Sequence, residues 1–270
     1  MIELNKIYNM DCVQGMKLLD DCSVDLTVTS PPYDNLRTYN GNIDQWNFEK
    51  FQGIARELYR VTKQGGVVVW VVADATIKGS ETGTSFRQAL YFMECGFNLH
   101  DTMIWKKQTF TDTGSLKVRY AGVFEYMFVF VKGKLKTFNP IKDRENKSVG
   151  KKKHGVIRQV DGTTKSQSSL GKKCGKLGQR FNVWEINTCV SNSERTGHPA
   201  QYPEQLASDH IISWSNPGDT VLDCFMGSGT TAKMALLNNR NYIGFELDKH
   251  YCDIANERIQ KTLAEKEAGE

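Results

Sequence analysis

Apolar positions along the first half of the chain alternate between two spacings. Lys6-Ile7-Tyr8-Asn9 reads as a short strand, and Val13, Met16 and Leu19 share one face of a helix over 13–19. Val24 to Thr29 is strand-like again and stops at Pro31-Pro32. After a polar loop over 34–45, Phe51, Ile54, Ala55 and Leu58 recur at helical spacing within 48–60. Gly65-Gly66 is expected to close that helix, and Val67 to Ala73 reads as a strand buried on both faces. A helix over 85–95 follows, then two strands rich in β-branched and aromatic residues, Leu99 to Trp105 and Phe124 to Val131.

From Gly133 to Thr188 the periodicity fades. It returns with a helix over 202–214, a turn at Asn216-Pro217-Gly218-Asp219, and the strand Thr220 to Asp223. A glycine-rich turn leads into a helix reaching Leu237. Tyr242 to Glu246 is the last strand, and a helix over 250–263 closes the pattern. Strand and helix signals alternating in this way predict an α/β protein with a mostly parallel, doubly wound sheet, interrupted by an irregular insertion.

Charge changes the picture of that insertion. Between Lys132 and Arg180, 15 Lys and Arg stand against 3 acids, a balance of +12, while the remaining residues carry 20 against 28, a balance of −8. An acidic body with one strongly basic segment points to a polyanion partner. The longest apolar run, Val67 to Ala73, is too short to cross a bilayer, and residues 1–6 show no signal-peptide pattern. Seven scattered cysteines without a C-x-x-C pair fit reduced thiols, and no metal-binding spacing occurs. The expected setting is the cytoplasm, with no membrane partner and no metal.

Two stretches carry candidate chemistry. Ser30, Pro31, Pro32 and Tyr33 follow a strand end, where the prolines fix a rigid ledge at the sheet edge that open α/β folds use for ligands. Asp223, Phe225, Gly227, Ser228, Gly229 and Thr230 form a strand, a glycine turn and a helix start, which lets backbone approach a ligand and offers N–H groups to an anion. Glu246 ends the next strand, where an acid can take ribose hydroxyls. The fingerprint G-x-G-x-x-G/A within 227–232 also admits a nicotinamide dinucleotide and hence an oxidoreductase. Asp11 before the first helix suits an N-cap as well as a ligand contact.

Together these stretches resemble the amino-methyltransferases of DNA, which use S-adenosylmethionine. Ser-Pro-Pro-Tyr at 30–33 is similar to their catalytic motif, and Asp-x-Phe-x-Gly-x-Gly-Thr at 223–230 to their cofactor loop. Asp11-Cys12 resembles the element contacting the cofactor's adenine, and His198-Pro199 the segment over its methionine end. The order, with ledge first and cofactor loop last, is that of the beta class. The resemblance implies a Rossmann-like fold of about seven strands. It divides the chain into a catalytic half (1–132), a basic target-recognition insertion (133–190) and a cofactor half (191–270) of the same domain. Double-stranded DNA is the implied partner, touched by Arg37, Tyr39, Lys151, Lys152, Lys153, Arg158, Lys172, Lys173 and Arg180, with a cognate restriction enzyme and a homodimer left open. Methyl transfer goes to the exocyclic amine of a base flipped from the duplex. Serine at position 30 favours N4 of cytosine, with N6 of adenine close behind. Besides the oxidoreductase, a DNA-binding relative with a dead cofactor site and a protein-glutamine methyltransferase remain as alternatives.

Overall fold

The computed structural model describes residues 2–32, 46–109, 116–166, 169–188, 196 and 200–269. Tyr33, Arg37, Tyr39, His198 and Pro199 lie outside the described residues. The chain opens with β1 (Lys6–Asn9), α1 (Cys12–Met16), β2 (Val24–Thr29), α2 (Phe48–Val61) and β3 (Thr62–Val72). A small ribbon, β4 (Thr76–Ile77) and β5 (Ser80–Glu81), precedes α3 (Thr84–Glu94), β6 (Phe97–Lys106) and β7 (Phe124–Lys132). Among the described residues the middle of the chain holds only short strands: β8 (Arg144–Glu145), β9 (Val156–Arg158), β10 (Thr164–Ser166), β11 (Leu177–Gly178) and β12 (Val183–Glu185). The order closes with α4 (Glu204–Trp214), β13 (Thr220–Asp223), α5 (Thr230–Leu237), β14 (Asn241–Glu246) and α6 (Lys249–Gly269).

Among the described residues, eight strands form the main sheet in the order β1-β14-β13-β2-β3-β7-β6-β12. All run parallel except β7, which opposes both β3 and β6. The connection from β6 to β7 carries no helix among the described residues, and an antiparallel return needs none, whereas a parallel one needs a crossover. The eighth strand is β12, which pairs with β6 from within the stretch where sequence periodicity fades. Its single buried side chain, Trp184, is too little pattern to read as a strand.

Each face of the sheet carries its own apolar layer. Leu26, Val28, Val67, Val69 and Val71 pack with residues of α4, α5 and α6. Val24, Val68, Trp70 and Val72 point the other way, onto α1, α2 and α3. Alternation along β3 thus supplies both cores, as a doubly wound sheet requires, while in β2 Val24 faces away from Leu26 and Val28 because the register shifts between Val24 and Leu26. Gly65-Gly66 does not terminate α2, which ends at Val61; both glycines stand inside β3, at a register shift against β2 between Val24 and Leu26. Gly65 has φ +81°, and a Cβ there would come within 2.7 Å of Lys136 Cβ, so the bulge needs glycine. The buried Lys132 ammonium closes α2 instead, donating to the Tyr59 carbonyl at 2.6 Å and the Thr62 carbonyl at 2.9 Å.

The chain separates into two compact units, one of Met1–Asn139 with Asn182–Glu270 and one of Pro140–Phe181. The first contains the whole main sheet. The second is built from two antiparallel ribbons, β8 with β11 and β9 with β10, and a bridge between Lys152 and Lys173. Among the described residues, no helix is long and apolar enough to cross a membrane.

Candidate active site

Four neighbouring parallel strands, β1, β14, β13 and β2, end on one edge of the sheet. The chain winds outward from β2 to β3 on one side and from β13 to β14 on the other. The crevice between β13 and β2 is therefore the topological switch point, where open α/β sheets hold ligands. Asp11, Glu246, Asp223 and Ser30 stand at these four strand ends in that order.

Tight turns shape the loop after β13. Gly227 has φ +52° and Gly229 φ +83°, and Gly229 caps the N-terminus of α5. A Cβ on Gly229 would stand 3.0 Å from Ala255 Cβ and 3.2 Å from its Cα. Glycine here serves the left-handed turn and the close approach of α6 together. The loop is fixed to β14 by the Met226 N–H on the Phe245 carbonyl at 2.9 Å and by the Gly227 N–H on Glu246 Oε2 at 2.7 Å. The other Glu246 oxygen accepts the Asp248 N–H at 2.8 Å. Burial raises the Glu246 carboxyl above the ordinary carboxylate range against those two donors, and the charges of Asp223 and Asp248 push it the same way. Phe225 packs edge-on against Trp46 and Trp70, with ring centroids 5.5 and 6.1 Å away.

Across the crevice, Ser30 is half-buried, Pro31 buried and Pro32 half-buried. Thr29, just before them, donates its hydroxyl to Asp223 Oδ1 at 2.6 Å. Asp223 Oδ1 also accepts the Phe225 N–H at 3.0 Å, and Oδ2 accepts the hydroxyls of Thr231 at 2.6 Å and Tyr202 at 3.1 Å. Burial raises the Asp223 carboxyl and lifts the Tyr202 phenol well above its usual range, in each case as the leading cause. At the outer edge, Asp11 caps α1 by accepting the Val13 and Gln14 N–H groups at 2.9 and 3.2 Å, and pairs with the Lys50 ammonium at 3.2 Å. The Cys12 side chain faces the apolar layer, and burial pushes its thiol up to about 12.

A family profile described as DNA methylase, of the N6/N4 type, matches residues 24–257, from β2 into α6. The chain belongs to the DNA methylase family. The orphan methyltransferase M.BamHII of Bacillus amyloliquefaciens is 58% identical over 251 residues, covering 91% of this chain and 92% of the relative. Among solved structures, that of the cytosine-N4-specific PvuII DNA methyltransferase superposes with a TM-score of 0.69 over 93% of this chain and 84% of its own, at 20% identity. The complex of M1.HpyAVI with S-adenosylmethionine gives 0.64 over 94% and 98%, at 25% identity.

DNA methylases of this family take their methyl group from S-adenosylmethionine, and the switch-point residues suit such a nucleoside. Glu246 keeps one acceptor site on each oxygen beyond its backbone donors, enough for a pair of ribose hydroxyls. The N-terminus of α5 presents backbone N–H groups of the kind that meet a carboxylate.

In the unit 140–181 the pairing of 151–153 with 172–174 gathers Lys151, Lys152, Lys153, Lys172 and Lys173, all exposed, into one cluster. Arg158 ends β9, fully on the surface. Arg180 is half-buried and donates to Asp143 at 2.8 Å, so its charge is already shared.

Several residues of this site escape sequence reasoning. Arg258 of α6 reaches the Ser228 carbonyl at 3.0 Å and the Thr230 hydroxyl at 3.1 Å, and its other arm binds Glu204 of α4, which Lys233 also contacts at 2.7 Å. Thr29, Tyr202 and Thr231 meet on Asp223 from positions far apart in the chain. Each is a single polar residue in an otherwise ordinary element, and no local spacing marks it.

Proposed function

We propose that this DNA methylase transfers a methyl group to N4 of a cytosine flipped out of double-stranded DNA. The observation that supports this most is the half-buried Ser30 at the end of β2, directly across the switch point from the loop at 223–230. An exocyclic amine is a poor nucleophile, because its lone pair is delocalised into the ring. Ser30 Oγ and the Pro31 carbonyl are the acceptors for its N–H groups, which holds the amine and orients its lone pair. The paired prolines keep this ledge rigid, and Tyr33 stacks on the flipped base. Bound S-adenosylmethionine supplies a methyl group on a positively charged sulfur. Glu246 takes its ribose, Asp11-Cys12 and Phe225 lie toward its adenine, and Gly227, Ser228, Gly229 and Thr230 approach it with backbone. His198 and Pro199 cover the methionine end. Attack on the methyl group is then a displacement governed by alignment, and the site needs no covalent link to the base.

Residues 1–132 form the catalytic half, 133–190 the target-recognition part and 191–270 the cofactor half. The lysine cluster, with Arg37, Tyr39, Arg158 and Arg180, binds the phosphate backbone and reads the site. The relative M.BamHII is described as an orphan, and a solitary enzyme inside the cell is proposed here too, rather than one paired with a restriction enzyme. Sequencing the modified bases in DNA from cells expressing the protein tests the reading. Methylated N4 of cytosine within one short motif is expected. Methyl groups on adenine N6 would overturn the choice of base, and unmodified DNA the proposal as a whole.

A further inference from the structure

Asp223 belongs to the motif that ought to touch the cofactor, yet its hydrogen bonds are all spent on the protein. A carboxylate offers about four acceptor sites. Here Thr29 and the Phe225 N–H occupy Oδ1, Thr231 and Tyr202 occupy Oδ2, and the residue is 1% exposed. The Thr231 and Tyr202 hydroxyls also touch one another, and the Cys224 thiol lies 3.6 Å from the Thr29 hydroxyl. Nothing remains on this carboxylate for a ligand.

The four donors come from separate pieces of the site. Thr29 is bonded directly to Ser30, the first residue of the ledge. Phe225 lies within the loop after β13, Thr231 in the first turn of α5, and Tyr202 in the segment leading into α4. Backbone pairing between β13 and β2 extends only over Val221–Leu26 and Leu222–Thr27, so it stops short of both strand ends. Beyond that point side chains tie the base-holding edge to the cofactor-holding edge: the short Thr29–Asp223 bond at 2.6 Å, with longer contacts from the Cys224 thiol to the Thr29 hydroxyl at 3.6 Å and from the Thr231 hydroxyl to the Val28 carbonyl at 3.4 Å.

We infer that Asp223 is a positioning residue shared by both substrates: one buried carboxylate sets the spacing between the ledge that holds the base and the loop that holds the methyl donor. The inference rests on the function proposed above. Its energetic logic is alignment. Displacement at a methyl group tolerates little error in approach, and a misplacement of about 1 Å costs on the order of 10²-fold in rate. The isosteric change Thr29→Val removes one donor and preserves volume, which lets the two edges drift apart while each substrate keeps its own contacts. Thr29→Ser keeps the hydroxyl.

The test measures four quantities on the purified protein with its cognate DNA: single-turnover transfer of tritium from labelled S-adenosylmethionine, Kd for the cofactor, Kd for DNA, and Tm. For Thr29→Val the expected result is a transfer rate lower by roughly 30- to 100-fold, with both Kd values within about threefold of wild type. Thr29→Ser should return the rate to within about threefold. Tyr202→Phe removes a different donor from the same carboxylate, and it should also lower the rate more than either affinity; it carries the test alone if Thr29→Val does not fold. An unchanged rate in Thr29→Val would overturn the inference. So would a fall in rate matched by an equal loss of cofactor affinity, since Asp223 would then serve the cofactor alone. If the serine variant regains Tm and not rate, the hydroxyl matters only for stability and the inference also fails. Wild-type protein that moves no label to any DNA would refute the proposed function itself, a result distinct from these.

Discussion

Cofactor affinity should depend on pH through Glu246, and the sign can be worked out from its surroundings. In the free protein the carboxyl lies above the ordinary range because it is buried beside Asp223 and Asp248, with only the Gly227 and Asp248 N–H groups to offset that. Between the ordinary and the raised value the folded protein therefore holds a proton that the unfolded chain releases. This group's contribution to stability is fullest at low pH and is lost as pH rises through the folded value. Ribose hydroxyls donate to the ionised form, so binding must expel that proton. Below the folded value of Glu246, affinity should fall by about tenfold for each pH unit, and above it the affinity should level off. Replacement by glutamine removes the charge and the titration together. One hydroxyl then loses a charge-assisted acceptor, at a cost of about 1.5–3 kcal/mol, or roughly 10- to 150-fold in Kd at neutral pH. Calorimetry with S-adenosylmethionine from pH 4.5 to 8, on wild type and Glu246→Gln, measures both effects. The rise of Tm on adding cofactor should likewise grow with pH in the wild type and stay flat in the variant. A wild-type affinity that is constant across the whole range, or a variant retaining the wild-type slope, would refute the role given to Glu246.

Gly229→Ala should lower Tm by about 2–8 °C, since a left-handed residue with a side chain costs about 1–2 kcal/mol and the contact with Ala255 adds to it; a shift under 1 °C in a thermal scan would contradict the packing described. Arg258→Met leaves the Ser228 carbonyl and Glu204 short of a partner, so cofactor Kd should weaken several-fold in calorimetry while DNA affinity holds. Exchanging Lys151, Lys152 and Lys153 for glutamine should reduce the slope of log affinity against log salt by about 2 to 3, read by fluorescence anisotropy on duplex DNA; an unchanged slope would mean that this cluster does not meet phosphate.

Much of the fold is legible in the sequence because its signals are local. Seven of the eight sheet strands coincide with runs that read as strands along the chain, β1 at Lys6–Asn9 among them, and several end at a proline or a turn, as at Thr29-Ser30-Pro31. The glycine pair at 65–66 misleads because glycine marks bulges as well as helix ends, and only pairing with β2 distinguishes the two. The strand that is not legible is β12, a short edge strand that owes its place to β6 rather than to its own composition. The candidate site shows the same division. Residues 223–230 and Glu246 stand out because a tight turn needs glycine and an acid that closes an otherwise apolar strand is visible in the sequence. The brace from Arg258 and the donors converging on Asp223 depend on contacts between residues up to 194 positions apart, which no window along the chain contains.

The unit Pro140–Phe181 leaves and re-enters the main body at two fastened points. Asn139 donates its side-chain amide to the Ser215 carbonyl at 3.0 Å and the Ile212 carbonyl at 3.2 Å. Asn182 donates to Asp101 at 3.0 Å, and its own carbonyl accepts the Ile104 N–H at 2.8 Å. With both stumps held by the sheet and by α4, the ends of this stretch are set by the main body and not by the stretch itself. A change of length or sequence between the two anchors leaves the hydrogen bonds of Asn139 and Asn182 to the body in place. On the target-reading role proposed above, new preferences then come to an old chemistry by changes confined between Asn139 and Asn182.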